Sequence, residues 1–129
     1  MKQKKGFTVI EIIIVAVFAS LLFILFFIQK ANVDAMDRDE KRKTAINAMY
    51  YALEESFYAQ NKYYPETIGE DNIKVIDPAL WTDPSGLNLG DELGSYFYEP
   101  ANCNDGKCTE YILRAVLEKE DMYVKRNRN

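Results

Sequence analysis

An apolar run at residues 7–28 dominates the chain, because its 22 residues include a single charged side chain, Glu11. A helix of this length extends about 33 Å, enough to cross the hydrocarbon core of a bilayer. β-Branched residues are abundant in the run, but in lipid a helix is the conformation that satisfies its own backbone hydrogen bonds. The run therefore predicts a membrane-spanning helix.

The flanks of the run indicate its orientation. Residues 1–6 (MKQKKG) are short and basic, whereas the residues after the run mix both signs, with Lys30 and Arg38 the nearest cations. The positive-inside rule therefore favours a cytoplasmic N terminus. The run is too long for a cleaved secretory signal, whose apolar core has about 7–15 residues. The flanks and the length together favour a retained single span.

Glu11 is an unusual residue for such a segment. A carboxylate at the centre of a span costs about 2.5–3.5 kcal/mol, and less near the interface. No Lys or Arg lies one helical turn away in the sequence to pair with it. Since a plain anchor has no use for this charge, Glu11 is a functional hypothesis, and we expect its partner to come from elsewhere.

The segment KKGFTVIEIIIV resembles the class III signal of type IV pilins and type II secretion pseudopilins, with a basic leader, Gly6, Phe7 and then Glu11. In that family a prepilin peptidase cleaves after the glycine and N-methylates the new terminal residue. The resemblance implies that residues 1–6 are a cleaved leader and that Phe7 becomes the methylated terminus. It also implies that Glu11 neutralises the terminal amine of a neighbouring subunit during assembly. Such a pair is tolerable in an apolar environment where either charge alone is not.

Residues 29–63 predict an amphipathic helix that continues from the span. Neither Gly nor Pro occurs between residues 7 and 64, and Pro65 then ends the helix nearby. Apolar residues recur at helical spacing, namely at Ala45, Ile46, Met49, Ala52, Leu53 and Phe57. The mixed charges of residues 34–43 are interpreted as a solvated face, with pairing between subunits as the alternative. The pair Glu54–Glu55 is interpreted as solvated surface too.

Residues 64–129 predict a globular head with a variable loop followed by antiparallel strands. Asp77 and Pro78 are typical of the start of a short helical turn, and Trp81 is expected in the core. Strands are predicted around residues 95–98, 111–117 and 122–124. The segment YILRAVLE also resembles a strand of pilin-like heads. The fold class is therefore α+β, a long N-terminal helix with a small antiparallel sheet packed on its C-terminal half. The basic end, residues 125–129, is interpreted as exposed and flexible.

The two cysteines flank the turn Asn-Asp-Gly-Lys, and outside the membrane we expect Cys103 and Cys108 to form a disulfide. Closing so short a loop contributes about 2 kcal/mol. Two free thiols are the alternative. Oxygen donors occur nearby, but they lack the ordered spacing of a calcium loop; these are Asp83, Asp91, Asn104 and Asp105. We predict no metal and no cofactor.

The composition argues against catalysis and against nucleic acid as a general ligand. The chain has no histidine, which excludes His-based triads, and it contains no phosphate-binding glycine loop or nucleophile–base pair. We therefore predict that it is not an enzyme. Removal of the leader leaves 13 basic against 20 acidic side chains, a balance of −7. A generic nucleic-acid-binding surface is not expected on such a chain.

The resemblance thus implies a structural subunit of a type IV pilus-like filament, serving adhesion, motility or DNA uptake. The expected partners are identical or related pilin subunits, the prepilin peptidase, and an assembly platform with its ATPase. Nucleic acid is a partner only if this is a competence-type pilin. The subunit would be a single-pass protein of the cytoplasmic membrane before assembly and extracellular afterwards. The alternatives are a secretion pseudopilin and a membrane-anchored binding domain that does not polymerise.

Overall fold

The computed structural model describes residues 6–129, so most of the predicted leader, residues 1–5, lies outside the described residues. The chain consists of two units, Met1–Asp34 and Ala35–Asn129. The fold class is α+β, as predicted, with the long N-terminal helix preceding all the strands in the described part of the chain.

Helical backbone begins at Val9, two residues after the predicted start at Phe7, and continues to Asn61, as expected from the absence of Gly and Pro. It consists of α1 (Val9–Tyr51), a π-helical segment (Ala52–Phe57) and α2 (Tyr58–Asn61). The wider π-helical turn was not predicted from the sequence. Lys62 ends the helix in a left-handed conformation, and its N–H donates to the carbonyl of Tyr58 at 2.8 Å. This end lies three residues before Pro65, where the sequence predicted it.

The sheet has four antiparallel strands, with β3 in the centre. These strands are β1 (Tyr64–Pro65), β2 (Tyr96–Asn104), β3 (Lys107–Ala115) and β4 (Tyr123–Arg126). β2 pairs with β3 along most of its length, from Tyr96 opposite Ala115 to Asn104 opposite Lys107. β1 pairs with the beginning of β3 and β4 with its end. The strands extend beyond the predicted ones at the hairpin, because the ladder continues to the turn at residues 105–106.

The core of the second unit lies between one helix face and the sheet. Buried residues of α1 recur every three or four positions, which places them on one face: Ala35, Asp39, Arg42, Ala45, Ile46 and Met49. Opposite them, every second residue of β3 is buried, namely Tyr111, Leu113 and Ala115, as is typical of a strand with one face on the core. Two members of the helical face are charged, which the sequence did not predict.

The segment between β1 and β2 contains one regular element, a 3₁₀ helix at Pro78–Trp81. The side chain of Asp77 caps it by accepting a hydrogen bond from the Ala79 N–H at 3.0 Å, and Pro78 occupies its first turn. This confirms the predicted cap and turn. Trp81 is buried in the core cluster, also as predicted.

The C-terminal residues differ from the prediction of a flexible tail. Lys125 and Arg126 belong to β4, where they lie opposite Leu113 and Ile112 of β3. Beyond the strand, the side chain of Asn127 accepts a hydrogen bond from the Tyr111 N–H at 3.2 Å. Residues 125–129 were predicted to be exposed and flexible, but strand pairing uses the backbone, which every residue supplies whatever its charge.

Candidate functional site

The turn that begins α1 contains the residues of the predicted processing and assembly site. Gly6 and Phe7 are exposed and precede the helix, so the peptide bond between them lies in non-helical backbone. The Glu11 carboxylate accepts hydrogen bonds from the N–H of Thr8 at 2.7 Å and from its hydroxyl at 3.0 Å. In return the Glu11 N–H donates to the Thr8 hydroxyl at 3.4 Å. This reciprocal arrangement is a capping box.

The capping box changes the interpretation of Glu11. No cation lies one helical turn from Glu11 in the sequence, so its partner was expected to come from elsewhere. The structure instead gives the Glu11 carboxylate a local partner, Thr8. The pattern Thr-x-x-Glu before an apolar run was the available signal. Capping satisfies backbone N–H groups that the first helical turn leaves without partners, and the positive end of the helix dipole favours the negative charge.

The first unit presents an apolar surface with no protein cover among the described residues. Every residue from 6 to 31 is exposed, including Phe18, Phe23 and Leu22 at 65–66%. The described residues contain one helix long and apolar enough to cross a membrane, and its apolar part is near the N terminus. Between Glu11 and Gln29 the polar side chain is that of Ser20, whose hydroxyl donates to the Ala16 carbonyl at 2.8 Å. A single-pass membrane protein has this kind of segment.

In the second unit, Asp39 anchors the β3–β4 loop to α1. Asp39 is 1% exposed and accepts hydrogen bonds from the backbone N–H groups of Glu118 and Lys119 at 2.8–3.0 Å. Arg42, also buried, bridges it to the loop, with N–O distances of 2.9 Å to Asp39 and 2.8 Å to Glu118. The charge run was predicted to be a solvated face; instead, four of its members bind a loop from the other end of the chain, namely Arg38, Asp39, Arg42 and Lys43.

The protonation of this anchor follows from its hydrogen bonds. Burial raises the pKa of Asp39, but the N–H groups of Glu118 and Lys119 and the Arg42 guanidinium outweigh it, so the pKa lies below its usual range. Hydrogen bonds from Arg38 and Arg42 lower the pKa of Glu118 to about 2. Both carboxyl groups are therefore ionised at neutral pH, which matches their cationic and N–H partners.

Glu54 is a second buried carboxylate that the sequence did not reveal. It is 6% exposed and lies in the π-helical segment, where it accepts hydrogen bonds from the hydroxyls of Tyr111 at 2.8 Å and Tyr64 at 3.1 Å. The N–H of Arg128 donates to it at 3.1 Å. Burial raises the pKa of Tyr64 to about 12 and that of Tyr111 further, so both hydroxyls stay protonated as donors. The prediction that Glu54 is solvated, like Glu55, is therefore wrong.

The predicted disulfide between Cys103 and Cys108 is present. It joins β2 to β3 beside the turn of their hairpin, where the two cysteines lie opposite each other in the ladder. The turn uses Asp105 and Gly106 at positive φ, 51° and 75°, which Asp and Gly adopt more readily than most residues. The bridge therefore locks the hairpin.

Among residues 6–129, no group of three or more His, Cys, Asp or Glu side chains could hold a metal ion. Asp83, one of the oxygen donors considered for calcium, is buried, and its carboxylate accepts from the N–H groups of Ser85, Leu87 and Ser95 instead. That neither enzyme activity nor a cofactor belongs to this chain stays a prediction.

No protein-family model, curated protein or solved structure matches this chain. The structure itself contains a long apolar N-terminal helix, a small antiparallel sheet and a disulfide. The helix and the sheet are the elements that the resemblance to pilins implies, whereas the disulfide was predicted from the spacing of the cysteines.

Proposed function

We propose that this chain is a structural subunit of a type IV pilus-like filament, cleaved between Gly6 and Phe7 and polymerised through its N-terminal helix. The observation that carries the proposal is the exposed apolar part of α1, residues 9–28, which contains a single carboxylate, Glu11, in its first turn. Lipid covers such a surface in a membrane, and neighbouring helices cover it in a filament core. The apolar segment therefore has to be covered both before assembly, by lipid, and after it, by neighbouring subunits.

The geometry of the first turn supports the proposed processing. The Gly6–Phe7 bond precedes the helix and is exposed, so a peptidase can reach it without unwinding hydrogen-bonded backbone. Cleavage creates a terminal ammonium on Phe7, next to the residue whose N–H already binds the Glu11 carboxylate. In the proposed filament this carboxylate neutralises the terminal amine of a neighbouring subunit, because unpaired charge in an apolar core costs several kcal/mol.

Mass spectrometry of the N-terminal peptide tests the processing directly. The expected result for protein sheared from cells is a terminus at Phe7 that carries one methyl group. A chain that starts at Met1 and stays entirely in the membrane fraction would reject the proposal. That result would favour the membrane-anchored binding domain.

Three variants separate the charge of Glu11 from its role as a helix cap. Glu11→Gln keeps an acceptor for the capping box but removes the charge. Thr8→Val removes the hydroxyl that caps the helix but keeps the charge and its bond from the backbone N–H of residue 8, and Glu11→Ala removes both charge and cap. We expect Glu11→Gln and Glu11→Ala to lower incorporation into sheared filaments by more than about tenfold, with insertion and cleavage intact. Thr8→Val is expected to assemble. If only the two variants that lose the cap fail, Glu11 acts as a cap.

The capping box also supplies the observation that favours the rival function. A helix start stabilised by Thr8 and Glu11 is useful to a membrane anchor that never polymerises. In that case the second unit would bind its ligand at the membrane surface, and both Glu11 variants would leave the protein's amount and location unchanged. A secretion pseudopilin shares the proposed processing and differs in the machinery that it serves.

A further inference from the structure

Two strands of the sheet, β2 and β4, lie on opposite sides of β3, and each forms an edge. Both pair antiparallel with β3, so they run in the same direction within one molecule. No other strand of residues 6–129 pairs with the outer side of either one. An edge strand directs backbone N–H and C=O groups away from the sheet, and a strand from another chain can pair with them.

The available backbone groups of β2 begin at Tyr98. The Val116 N–H donates to the Ser95 carbonyl at 2.9 Å, so Ser95 faces β3. Because the direction of these groups alternates along an antiparallel strand, Tyr96 and Tyr98 face away from β3. The Tyr96 carbonyl accepts from the N–H of Gly90 at 3.0 Å. Tyr98 is therefore the first residue of β2 whose outward N–H and C=O both lack a partner among the described residues.

The available backbone groups of β4 belong to Val124 and Arg126. The Asn127 N–H donates to the Tyr111 carbonyl at 3.4 Å, so Asn127 faces β3. By the same alternation Lys125 faces β3, whereas Val124 and Arg126 face away from it. Their outward N–H and C=O groups bond to no residue in the part of the chain that the structure describes.

The side chains at the two edges lie in common rows across the sheet. Glu99 of β2 and Arg126 of β4 both lie opposite Ile112 of β3. Phe97 and Val124 likewise both lie opposite Arg114. Since the neighbours of Ile112 and Arg114 along β3 are buried in the core, both rows lie on the other face of the sheet. One row therefore ends in a carboxylate at β2 and a guanidinium at β4, and the other ends in two apolar side chains.

Arg126 has no carboxylate partner of its own. It is exposed and forms no ion pair with any residue that the structure describes. The Glu99 side chain is 48% exposed and pairs with Arg114 through one oxygen, Oε1. Its other oxygen, Oε2, accepts no hydrogen bond within residues 6–129 and can bind a second cation.

These charges distinguish the ways in which two edges can meet. Cations on an edge strand usually discourage pairing with another strand. A second β4 would bring Arg126 near a like charge, and a second β2 would do the same to Glu99. A β4 beside a β2 instead brings opposite charges together, and it places Val124, which is 41% exposed, near Phe97.

We propose that β2 of one copy pairs in parallel with β4 of a second copy, so that the sheet continues from copy to copy. This inference rests on the proposed function. Because β2 and β4 are different edges of one molecule, the contact is heterologous and repeats without closing, as a filament requires.

The side chains and the backbone require the same register for this contact. A second copy displaced sideways continues each row, so its Arg126 lies beside Glu99 and its Val124 beside Phe97. Tyr98 then lies opposite Lys125 of the second copy. In a parallel pair the Tyr98 N–H donates to the carbonyl of that copy's Val124, and the Tyr98 carbonyl accepts from its Arg126 N–H. These are the outward groups of the two edges.

Cysteine crosslinking of the full chain in cells tests the contact. In Glu99→Cys/Arg126→Cys the new cysteines of one chain lie two strand spacings apart, about 10 Å, whereas a disulfide requires Cα atoms within about 7 Å. Paired strands of two copies bring them to about 5 Å. After mild oxidation, membrane and sheared-filament fractions should show a ladder of linked chains on a non-reducing gel. Each single variant should remain monomeric.

A second pair of cysteines keeps both charges and tests the register. Phe97→Cys/Val124→Cys retains Glu99 and Arg126, and we expect the same ladder. Phe97→Cys/Arg126→Cys is the matched control, because its cysteines are offset by two residues and lie about 8 Å apart in the proposed pair. Its ladder should be weaker by at least about tenfold.

Charge reversal in the Phe97→Cys/Val124→Cys chain tests the ion pair. Arg126→Glu should lower the ladder about fivefold, because its carboxylate meets Glu99 of the neighbouring copy. Adding Glu99→Arg should restore the ladder. Lys74→Glu, an equal change of charge at an exposed residue outside the sheet, should leave it unchanged.

The outcomes separate this contact from the proposed function. Filaments with a Phe7 terminus but no ladder from either matched pair would overturn the contact and leave the filament subunit standing. A ladder in membranes of cells that form no filament would support the contact and reject the filament. Dimers of Glu99→Cys alone, a disulfide to a different protein, or equal ladders from the matched and offset pairs would each overturn the contact.

Discussion

The two units of the chain differ in which side chains they bury and which they expose. In the first unit the apolar side chains are exposed, and the Glu11 carboxylate accepts hydrogen bonds from Thr8 in its own helical turn. In the second unit two of the buried carboxylates, Asp39 and Glu54, accept hydrogen bonds from residues far along the chain. The second unit therefore supplies partners for these buried carboxylates, whereas the apolar surface of the first needs an environment that the chain does not supply. The contrast is therefore between buried groups that stabilise the second unit and apolar side chains that the first unit leaves exposed.

The largest expected effect on stability comes from Asp39. Asp39→Asn removes the charge that binds two backbone N–H groups and Arg42, so the free energy of unfolding of the second unit should fall by about 3–5 kcal/mol. Urea unfolding of the full chain in detergent micelles measures this through the fluorescence of Trp81, the only tryptophan. Trp81 is buried in the second unit and reports on that unit.

Asp37 provides the matched control within the same charge run. It is 61% exposed and pairs with Lys41 across one helical turn. Asp37→Asn should change the free energy of unfolding by no more than about 0.5 kcal/mol. Equal effects of the two substitutions would show that Asp39 is not an anchor in solution, and the contrast between the units would lose its main support.

Glu54 and Glu55 sharpen the comparison at adjacent positions. Glu54→Gln weakens hydrogen bonds from Tyr64, Tyr111 and the Arg128 N–H, and should lower the free energy of unfolding by about 2 kcal/mol. Glu55→Gln, which affects an exposed pair with Arg128, should have an effect of about 0.5 kcal/mol or less. The same unfolding experiment measures both. A larger loss from Glu55→Gln would contradict the burial of Glu54.

The smallest expected effect is a dependence on acid. The pKa values of Asp39 and Glu118 lie below their ordinary values of 3.8 and 4.5, and that of Glu118 is about 2. The stability that they contribute is present above the ordinary pKa values and is lost as the pH falls towards 2. The melting temperature should therefore decline between pH 4.5 and 2. Glu118→Gln should make this decline shallower, and an unchanged slope would show that the pairs with Arg38 and Arg42 do not stabilise the fold.

The local features of the fold were predictable because their causes are local in sequence. Helix continuity followed from the absence of Gly and Pro, its end from Pro65, and the disulfide from two cysteines around an Asp-Gly turn. The cap at Asp77 is of the same kind. The capping box of Thr8 and Glu11 has a local cause too, the pattern Thr-x-x-Glu, although it was not among the predictions.

The amino-acid sequence by itself determined where the chain is apolar, where its helix begins and ends, and which residues form the Gly6–Phe7 junction. Hydropathy, helix capping and proline geometry act within a few residues and leave their pattern in the sequence. Only the tertiary structure decided that Asp39 and Glu54 are buried while Asp37 and Glu55 are not. Those assignments depend on N–H and hydroxyl donors more than fifty residues away, in β3 and beyond it. The spacing of charges along a helix carries no information about which donors the fold brings to each face.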